Sequence, residues 1–226
     1  MNTLEATIGS AGLFTLLFIA LGGDDSASRR VSIIQAVISG VLAVGAFLPV
    51  VDVLWRPITI DEFLSPHPYP SWIAFTLGYL LYDLCFARSI DRWINVHHVS
   101  VGLALTICLS RESMVGGRLL AGFLTNELST PFLHMAWLRE QEGKDPLFMH
   151  IIFAILFVAL RVVFVNVLFT RLVSFVVSNW STVTRFYSPH SVVIIIGCLM
   201  VYIFVNQIWF SHLVRAARTF DRTKRA

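Results

Sequence analysis

The sequence predicts an all-α integral membrane protein with about seven transmembrane helices. Of its 226 residues, 56% are hydrophobic and only 14% are charged, whereas a soluble domain carries about 25% charged residues. Long apolar runs separate the charged residues, and such runs are typical of membrane-spanning helices, which need about 20 residues to cross the hydrocarbon core. The three cysteines lie within apolar runs and form no CxxC spacing, so the sequence indicates neither a disulfide framework nor a structural zinc site.

Seven apolar runs divide the chain. The first ends at Gly22-Gly23-Asp24, a helix-breaking sequence. Its flank carries Glu5 and no basic residue, so we expect an uncleaved helix, because a cleavable signal peptide begins with a positive region. The fourth run is short for a full crossing and is expected to tilt or to extend into the polar segment before it. The predicted spans are 8–21, 31–51, 72–86, 96–109, 116–138, 147–168 with a continuation to 177, and 191–214.

Two segments depart from regular helix. The connection 52–70 contains four prolines, and proline removes a backbone donor and clashes with the preceding turn. The fifth span contains Asn126-Glu127-Leu128-Ser129-Thr130-Pro131. A carboxylate, two hydroxyls and a proline at this depth predict a bent helix that is packed inside protein, since lipid satisfies none of these polar groups.

The distribution of basic residues predicts the orientation. With seven spans the two termini lie on opposite sides. Eleven of the 17 Lys and Arg residues fall on the side of the C-terminus, five fall on the other side, and Arg161 lies within a span. The positive-inside rule therefore favours a cytoplasmic C-terminus and a lumenal or external N-terminus.

Four ionisable residues are the first candidates for chemistry: Asp83, His97, His98 and Glu127. Ionisable groups in a membrane are costly and usually functional or tightly paired. Neighbouring helical residues point about 100° apart, so we expect one imidazole to react and the other to support it. A neutral imidazole can accept a proton or attack a carbonyl carbon, and a carboxylate on its second nitrogen, from Asp83 or Glu127, would fix its tautomer.

Structural alternatives stand beside this interpretation. The histidine pair would also cap a short helix at the interface, and Glu127 would form a buried ion pair with Arg161. Adjacent histidines lack the i, i+4 spacing with which one helix face grips a metal, so no metal site is predicted. Polar residues such as Tyr82 and Asn126 are common interhelical hydrogen-bonding groups. Three further histidines near span ends are expected to be interfacial: His134, His150 and His212.

Four elements of the sequence resemble the TLC-domain family of membrane proteins, which includes the ceramide synthases. They are Tyr82-Asp83, His97-His98, the segment 127–132 (Glu-Leu-Ser-Thr-Pro-Phe) and Arg161. The resemblance covers about residues 29–218 and is closest to the small TLC-domain proteins. It implies six helices around a lipid-accessible cavity, preceded by an N-terminal helix and loop (1–28) and followed by a basic cytoplasmic tail (219–226).

The resemblance also implies an activity. Ceramide synthases transfer a fatty acyl group from coenzyme A to the amine of a sphingoid base. Carried over, His97 and His98 are the catalytic pair, as base or acyl-accepting nucleophile, and Asp83 is a supporting acid. In place of the ceramide synthases' His-Asp…Asp pattern, this chain offers only Asn126 and Glu127, and Glu127 is counted with the catalytic residues. The predicted lipid-binding or substrate-binding residues are Tyr82, Asn126, Ser129 and Arg161.

Two hypotheses from different classes remain. The first is an acyl-CoA-dependent N-acyltransferase with acyl-CoA as co-substrate and no other cofactor. The second is a non-enzymatic lipid-binding regulator of membrane lipid composition. A transporter ranks last, because the paired broken helices that often mark transporters are absent from the pattern. The expected partners are membrane lipids and a second copy of the chain, in the endoplasmic reticulum or another endomembrane. Nucleic acid is not expected, because no basic cluster is interleaved with aromatics.

Overall fold

Seven long helical segments follow one another in the computed structural model, which describes residues 3–65, 70–86, 92–109 and 117–225. Several segments combine more than one helix type. They are α1 (Thr3–Ala20), α2 (Asp25–Phe47) with a 3₁₀ turn (Leu48–Leu54), α4 (Pro70–Phe86), α5 (Arg92–Leu109), α6 (Gly117–Leu124) with α7 (Thr130–Gln141), α8 (Leu147–Leu156) with α9 (Val165–Ser178), and α11 (Pro189–Arg225). Two short helices lie in connections: α3 (Ile60–Leu64) and α10 (Trp180–Phe186).

The length and apolarity of these helices support the expected fold class. Three of them suffice by themselves to cross a membrane, at 25–54, 147–178 and 189–218, and two shorter apolar helices cover 4–20 and 71–86. Every regular element that the structure describes is helical. The chain is therefore an all-α membrane protein, as the composition predicts.

The first helix boundary follows from local sequence. Gly22 and Gly23 take positive φ angles of 113° and 69°, which glycine adopts at little steric cost, and they end α1. Asp24 then caps α2, since its carboxylate accepts a hydrogen bond of 2.7 Å from the backbone N–H of Ala27. The break predicted at this point is present.

Two helices are interrupted where polar residues enter the membrane region. A 3₁₀ segment, Thr125–Ser129, separates α6 from α7, and Pro131 stands at the start of α7. A π-helical segment, Phe157–Phe164, separates α8 from α9 and carries Arg161. The two irregular segments contact each other. Irregular turns of these types often occur at functional sites, and here they place the polar side chains of two helices together.

Helix packing divides the bundle into two halves around α2. In the first half, α1 packs on α4, where Gly78 lets the two backbones approach closely. In the second half, α11 packs on α5, and α9 packs beneath α6. Helix α2 contacts α4 on one side and α6 and α7 on the other. Both halves therefore meet near the start of α5, which carries the two histidines.

Some predicted boundaries differ from the observed ones. Helix α5 begins at Arg92 instead of residue 96, so the histidines lie in its second turn, and the expected extension into the polar segment is present. Helix α11 continues to Arg225, although the sequence indicated an end near residue 214. The apolar pattern ends there, but a helix can continue into solvent as a polar helix, which hydropathy does not detect.

Candidate functional site

The two histidine side chains diverge from α5. Their ring centroids are 5.6 Å apart with an interplanar angle of 54°. His98 turns toward α4, where it meets Asp83 and Tyr79. His97 turns toward α11, where it meets Tyr202 and Trp209. The divergence is what the helical repeat of 100° per residue requires.

His98 forms a contact with a carboxylate. Its Nδ1 lies 3.0 Å from Oδ2 of Asp83, and both side chains are largely buried. Nδ1 of His98 forms no aligned hydrogen bond within the described residues, so the contact is one of charge and proximity. A carboxylate only accepts hydrogen bonds, so this contact favours the tautomer with the proton on Nδ1 and leaves the Nε2 lone pair for a substrate.

Tyr79 extends this contact into α2. Its hydroxyl proton lies within reach of two acceptors, Oγ of Ser32 at 2.9 Å and Oδ1 of Asp83 at 3.3 Å. Ser32 donates in turn to the carbonyl of Ser28 at 3.0 Å. The Tyr79 ring meets the His98 ring edge-on at 6.2 Å. Tyr79 therefore positions both members of the Asp83–His98 pair.

His97 occupies an aromatic environment. Its side chain is 5% exposed, and its ring stacks on Tyr202 with a centroid distance of 4.9 Å and an angle of 27°. The Trp209 ring lies 5.4 Å away. The Nδ1 atom of His97 is buried and has no hydrogen-bond partner among the residues the structure describes. Among those residues no carboxylate oxygen lies within 4 Å of it, in contrast to His98.

Tyr202 is itself anchored by the 3₁₀ segment. Its hydroxyl donates to the carbonyl of Phe123 at 2.8 Å and accepts a short hydrogen bond from Nδ2 of Asn126. Ser129 donates to the carbonyl of Asn126 at 2.8 Å. Two predicted binding residues, Asn126 and Ser129, thus support the ring on which His97 stacks.

Arg161 is buried and surrounded by neutral acceptors. It is 6% exposed. Its Nε donates to Ser129 Oγ at 2.9 Å, its Nη2 to Thr130 Oγ1 at 2.8 Å, and its Nη1 to Asn206 Oδ1 at 3.4 Å. The guanidinium also faces the rings of Phe157 and Trp209, at 5.7 and 5.9 Å.

The ion pair between Glu127 and Arg161, the structural alternative for Glu127, is not formed. Glu127 Oε2 accepts a hydrogen bond of 3.1 Å from the Thr130 hydroxyl, and the same hydroxyl accepts from Arg161. No carboxylate in the part of the chain that the structure describes lies within 4 Å of Arg161. At the end of the 3₁₀ turn before Pro131, the hydroxyl of Thr130 lies between Glu127 and the guanidinium of Arg161. The sequence pattern does not reveal this arrangement.

Tyr82 packs beside Tyr79, with ring centroids 6.1 Å apart. It is buried in an aromatic cluster with Phe14, Phe18 and Phe86, at centroid distances of 6.1, 5.9 and 5.9 Å. Its role in substrate binding stays a prediction. The tyrosine that contacts His98 is Tyr79, which sequence analysis missed, although its i, i+4 spacing to Asp83 places both on one helix face.

A second missed group lies near Asp83. Nη1 of Arg29 is 3.1 Å from Nδ1 of His134, and the guanidinium stacks over Trp137 at 4.8 Å. Sequence analysis placed His134 at the interface. The spacing of Thr130, His134 and Trp137 could have revealed this face, because residues at i, i+4 and i+7 line one side of a helix.

An apolar crevice begins beside the histidines and runs between α5, α6 and α11. The crevice is narrow and partly open to the surface of the bundle. Ser100, one turn after His97, and Tyr202 stand at one end, and Cys108 lies two turns further along α5. The lining residues are almost all apolar: Ser100, Val101, Ala104, Leu105, Cys108, Leu120, Phe123, Leu124, Cys198, Leu199 and Tyr202. A lining of this kind offers apolar surface to a hydrocarbon chain.

The histidines, carboxylates and cysteines of the site are arranged in pairs. Within the described residues, no three His, Cys, Asp or Glu side chains lie close enough together to hold a metal ion. The three cysteines carry free thiols, and Cys108 and Cys198 are buried beside the crevice.

Comparison with family models identifies the chain. A model described as the TLC domain matches residues 25–215. The chain belongs to the TLC-domain family. The matched range covers most of the chain and includes all the residues of the site, while α1 lies outside it. A search of curated proteins and a search of solved structures each found no match. The TLC domain and the apolar helices together make this a membrane protein with a lipid-related function.

Proposed function

We propose that this TLC-domain protein transfers an acyl group from acyl-CoA to the amine of a lipid acceptor such as a sphingoid base. The observation that supports this proposal is the Asp83–His98 contact, which forms on the helix whose following turns line an apolar crevice. A carboxylate-supported imidazole is a suitable general base. The crevice supplies a place for a fatty acyl chain, and the stacked ring of His97 links the two features.

The chemistry assigns the proton to His98. The acceptor nitrogen attacks the thioester carbonyl carbon, a C–N bond forms, and the C–S bond breaks. The imidazole removes the proton of the attacking amine at Nε2 and returns it to the departing thiolate of coenzyme A. Asp83 stabilises the transient imidazolium, and Tyr79 holds Asp83 in place. His97 stacks on Tyr202, which lines the crevice, and the thioester would lie near this ring.

The predicted orientation agrees with this assignment. A cytoplasmic C-terminus places the ends of α4 and α7, and the start of α5, on the cytoplasmic side, where a water-soluble acyl donor has access. Residence in the endoplasmic reticulum or another endomembrane is part of the same proposal.

The proposal predicts a defined set of variants. Purified protein is supplied with long-chain acyl-CoA and sphinganine, and N-acyl product is measured by mass spectrometry. His98→Gln and Asp83→Asn are each expected to lower the rate by about 100-fold or more, the usual contribution of a positioned base. His150→Gln is the matched control, because His150 forms an exposed pair with Glu140 at 3.0 Å outside the site. Equal rates in wild type and His98→Gln would refute the catalytic assignment.

The crevice also supports a second candidate, a non-enzymatic lipid-binding protein. Ala104→Phe would fill the crevice from α5 without touching the histidines, whereas Val99→Phe adds the same ring to an exposed position on that helix. Lipids retained on purification are expected to fall only in Ala104→Phe. If that loss occurs and wild type shows no turnover with any acyl donor, the binding function is favoured over the enzymatic one.

A further inference from the structure

Two arginines from different helices meet one face of α7. Thr130, His134 and Trp137 lie along this face at i, i+4 and i+7. Arg161 donates to Thr130 at 2.8 Å. Arg29, from the first turns of α2, contacts His134 and Trp137. The bundle thus brings two guanidinium groups to neighbouring turns of a third helix.

Arg29 is held in a fixed position by neutral groups. Arginine only donates hydrogen bonds, so Nδ1 of His134 is the acceptor in their 3.1 Å contact, and the proton of a neutral His134 is on Nε2. The face of the guanidinium rests on the Trp137 ring at 4.8 Å, an arrangement that leaves its edge free for hydrogen bonds. Both contacts orient the guanidinium without neutralising its charge.

Neither arginine has a carboxylate in direct contact. Within the described residues, no ion pair shorter than 4 Å involves Arg29 or Arg161. Three acids lie nearby: Asp25 one turn before Arg29 on α2, Asp83, which contacts His98, and Glu127, which accepts a hydrogen bond from Thr130. Arg161 uses three of its five N–H groups. A guanidinium group in a membrane is costly when no carboxylate contacts it. This arrangement therefore favours an anionic ligand.

The two arginines contact α7 one helical turn apart, at Thr130 and His134. Thr130 and His134 are about 6 Å apart along the helix axis, at 1.5 Å per residue. His134, which Arg29 contacts, also lies within electrostatic range of Arg161. The oxygens of a phosphate point in several directions, so a phosphate can accept hydrogen bonds from two arginines. The two oxygens of a carboxylate lie in one plane and are both engaged by a single arginine that donates two hydrogen bonds.

We propose that Arg29 and Arg161 together bind the phosphate group of an amphiphile whose chain enters the bundle. The phosphate belongs either to a phospholipid headgroup or to coenzyme A, and the two sources present the same chemistry to the arginines. The site does not depend on acyl transfer, because a purely lipid-binding protein would use the same pair. Loss of turnover therefore does not affect it.

The test compares ligands that differ by one phosphate. Purified protein in neutral detergent is titrated by calorimetry with short-chain phosphatidic acid and with the diacylglycerol of the same chains, without acyl donor. Coenzyme A is titrated in a separate arm. Wild type is expected to bind phosphatidic acid or coenzyme A at least tenfold more tightly than diacylglycerol. Arg29→Gln should reduce that preference about tenfold or more, as expected for hydrogen bonds to a charged group.

Arg30→Gln is the matched control, because Arg30 is the exposed neighbour of Arg29 on the same helix. Arg161→Gln should abolish the preference, with thermal unfolding measured in parallel. If that variant does not fold, Arg29→Gln alone decides. The arm that responds to Arg29→Gln identifies the source of the phosphate. Equal affinity for phosphatidic acid and diacylglycerol with no binding of coenzyme A, or equal losses in Arg29→Gln and Arg30→Gln, would overturn the proposal.

Discussion

The surroundings of His98 and of His97 differ in charge, although the two residues are adjacent in the chain. On the His98 side, Asp83 lies 3.0 Å from the ring, and Tyr79 links that carboxylate to Ser32. On the His97 side, the ring stacks on Tyr202 beside Trp209. The first environment places a carboxylate beside the imidazole, and the second offers aromatic surface and a crevice.

This difference shows that a histidine pair is not a unit of function. The two side chains leave α5 about 100° apart and enter different halves of the bundle. One half is built from α1, α2 and α4, and the other from α6, α9 and α11. Each histidine takes its properties from the half it enters. The two can therefore be separated by substitutions that act on one half alone.

The largest effect is expected from a double-mutant cycle on activity. Asp83→Asn and His98→Gln should each lower the rate of acyl transfer about 100-fold, and the double variant should be little worse than either, because the two side chains act as a unit. His97→Gln combined with Asp83→Asn should instead be additive in free energy, since no contact joins them. Rates are measured with saturating acyl-CoA. Coupling of Asp83 to His97 as strong as to His98 would contradict the separation.

A steric substitution tests the support of the His98 half. A Cβ on Gly78 of α4 would lie 2.5 Å from Cβ of Ser10 and 2.8 Å from the backbone of α1. Because backbone cannot yield as a side chain can, Gly78→Val should displace α1 and cost about 1–3 kcal/mol of stability. Phe14 of α1 packs on Tyr79 at 5.4 Å, so acyl transfer should fall as well.

Gly12→Val is the matched control on α1, since nothing lies within 4 Å of a Cβ at that position. Thermal unfolding in detergent and lipid retention are measured for both variants. Lipid retained in the crevice should survive in Gly78→Val, because the crevice is lined by α5, α6 and α11. Loss of retained lipid together with activity would mean that the two halves do not respond independently.

Helix existence was predictable from the sequence because apolar runs of membrane length report directly on burial in lipid. The bent fifth span was predictable as well, since Pro131 cannot donate to the preceding turn. The hydrogen-bond partners of each polar residue were not predictable, because they depend on how helices that are distant in sequence pack together. Thr130 standing between Glu127 and Arg161, and Arg29 reaching His134, both follow from tertiary packing. The π-helical turn at Arg161 was not predictable either, because it does not change the hydropathy of the sequence.

The smallest effects come from removing single hydroxyl groups, one in each half. Tyr79→Phe removes the donor to Asp83 and Ser32, and Tyr202→Phe removes the donor to the Phe123 carbonyl. Each substitution should remove about 1 kcal/mol of stabilising free energy, the typical net contribution of one hydrogen bond. The losses should appear in different measurements. Tyr79→Phe should lower the rate of acyl transfer about fivefold, whereas Tyr202→Phe should mainly lower thermal stability.

The double variant Tyr79→Phe/Tyr202→Phe completes this comparison. The two hydroxyls share no hydrogen-bond partner among the described residues. Their effects on unfolding free energy should therefore add to within about 0.5 kcal/mol. Unfolding is followed by denaturant titration in one detergent for all four proteins. A larger interaction energy would show that the carboxylate contact of His98 and the aromatic contact of His97 are coupled through α5, so that the two histidines respond to substitutions as one element.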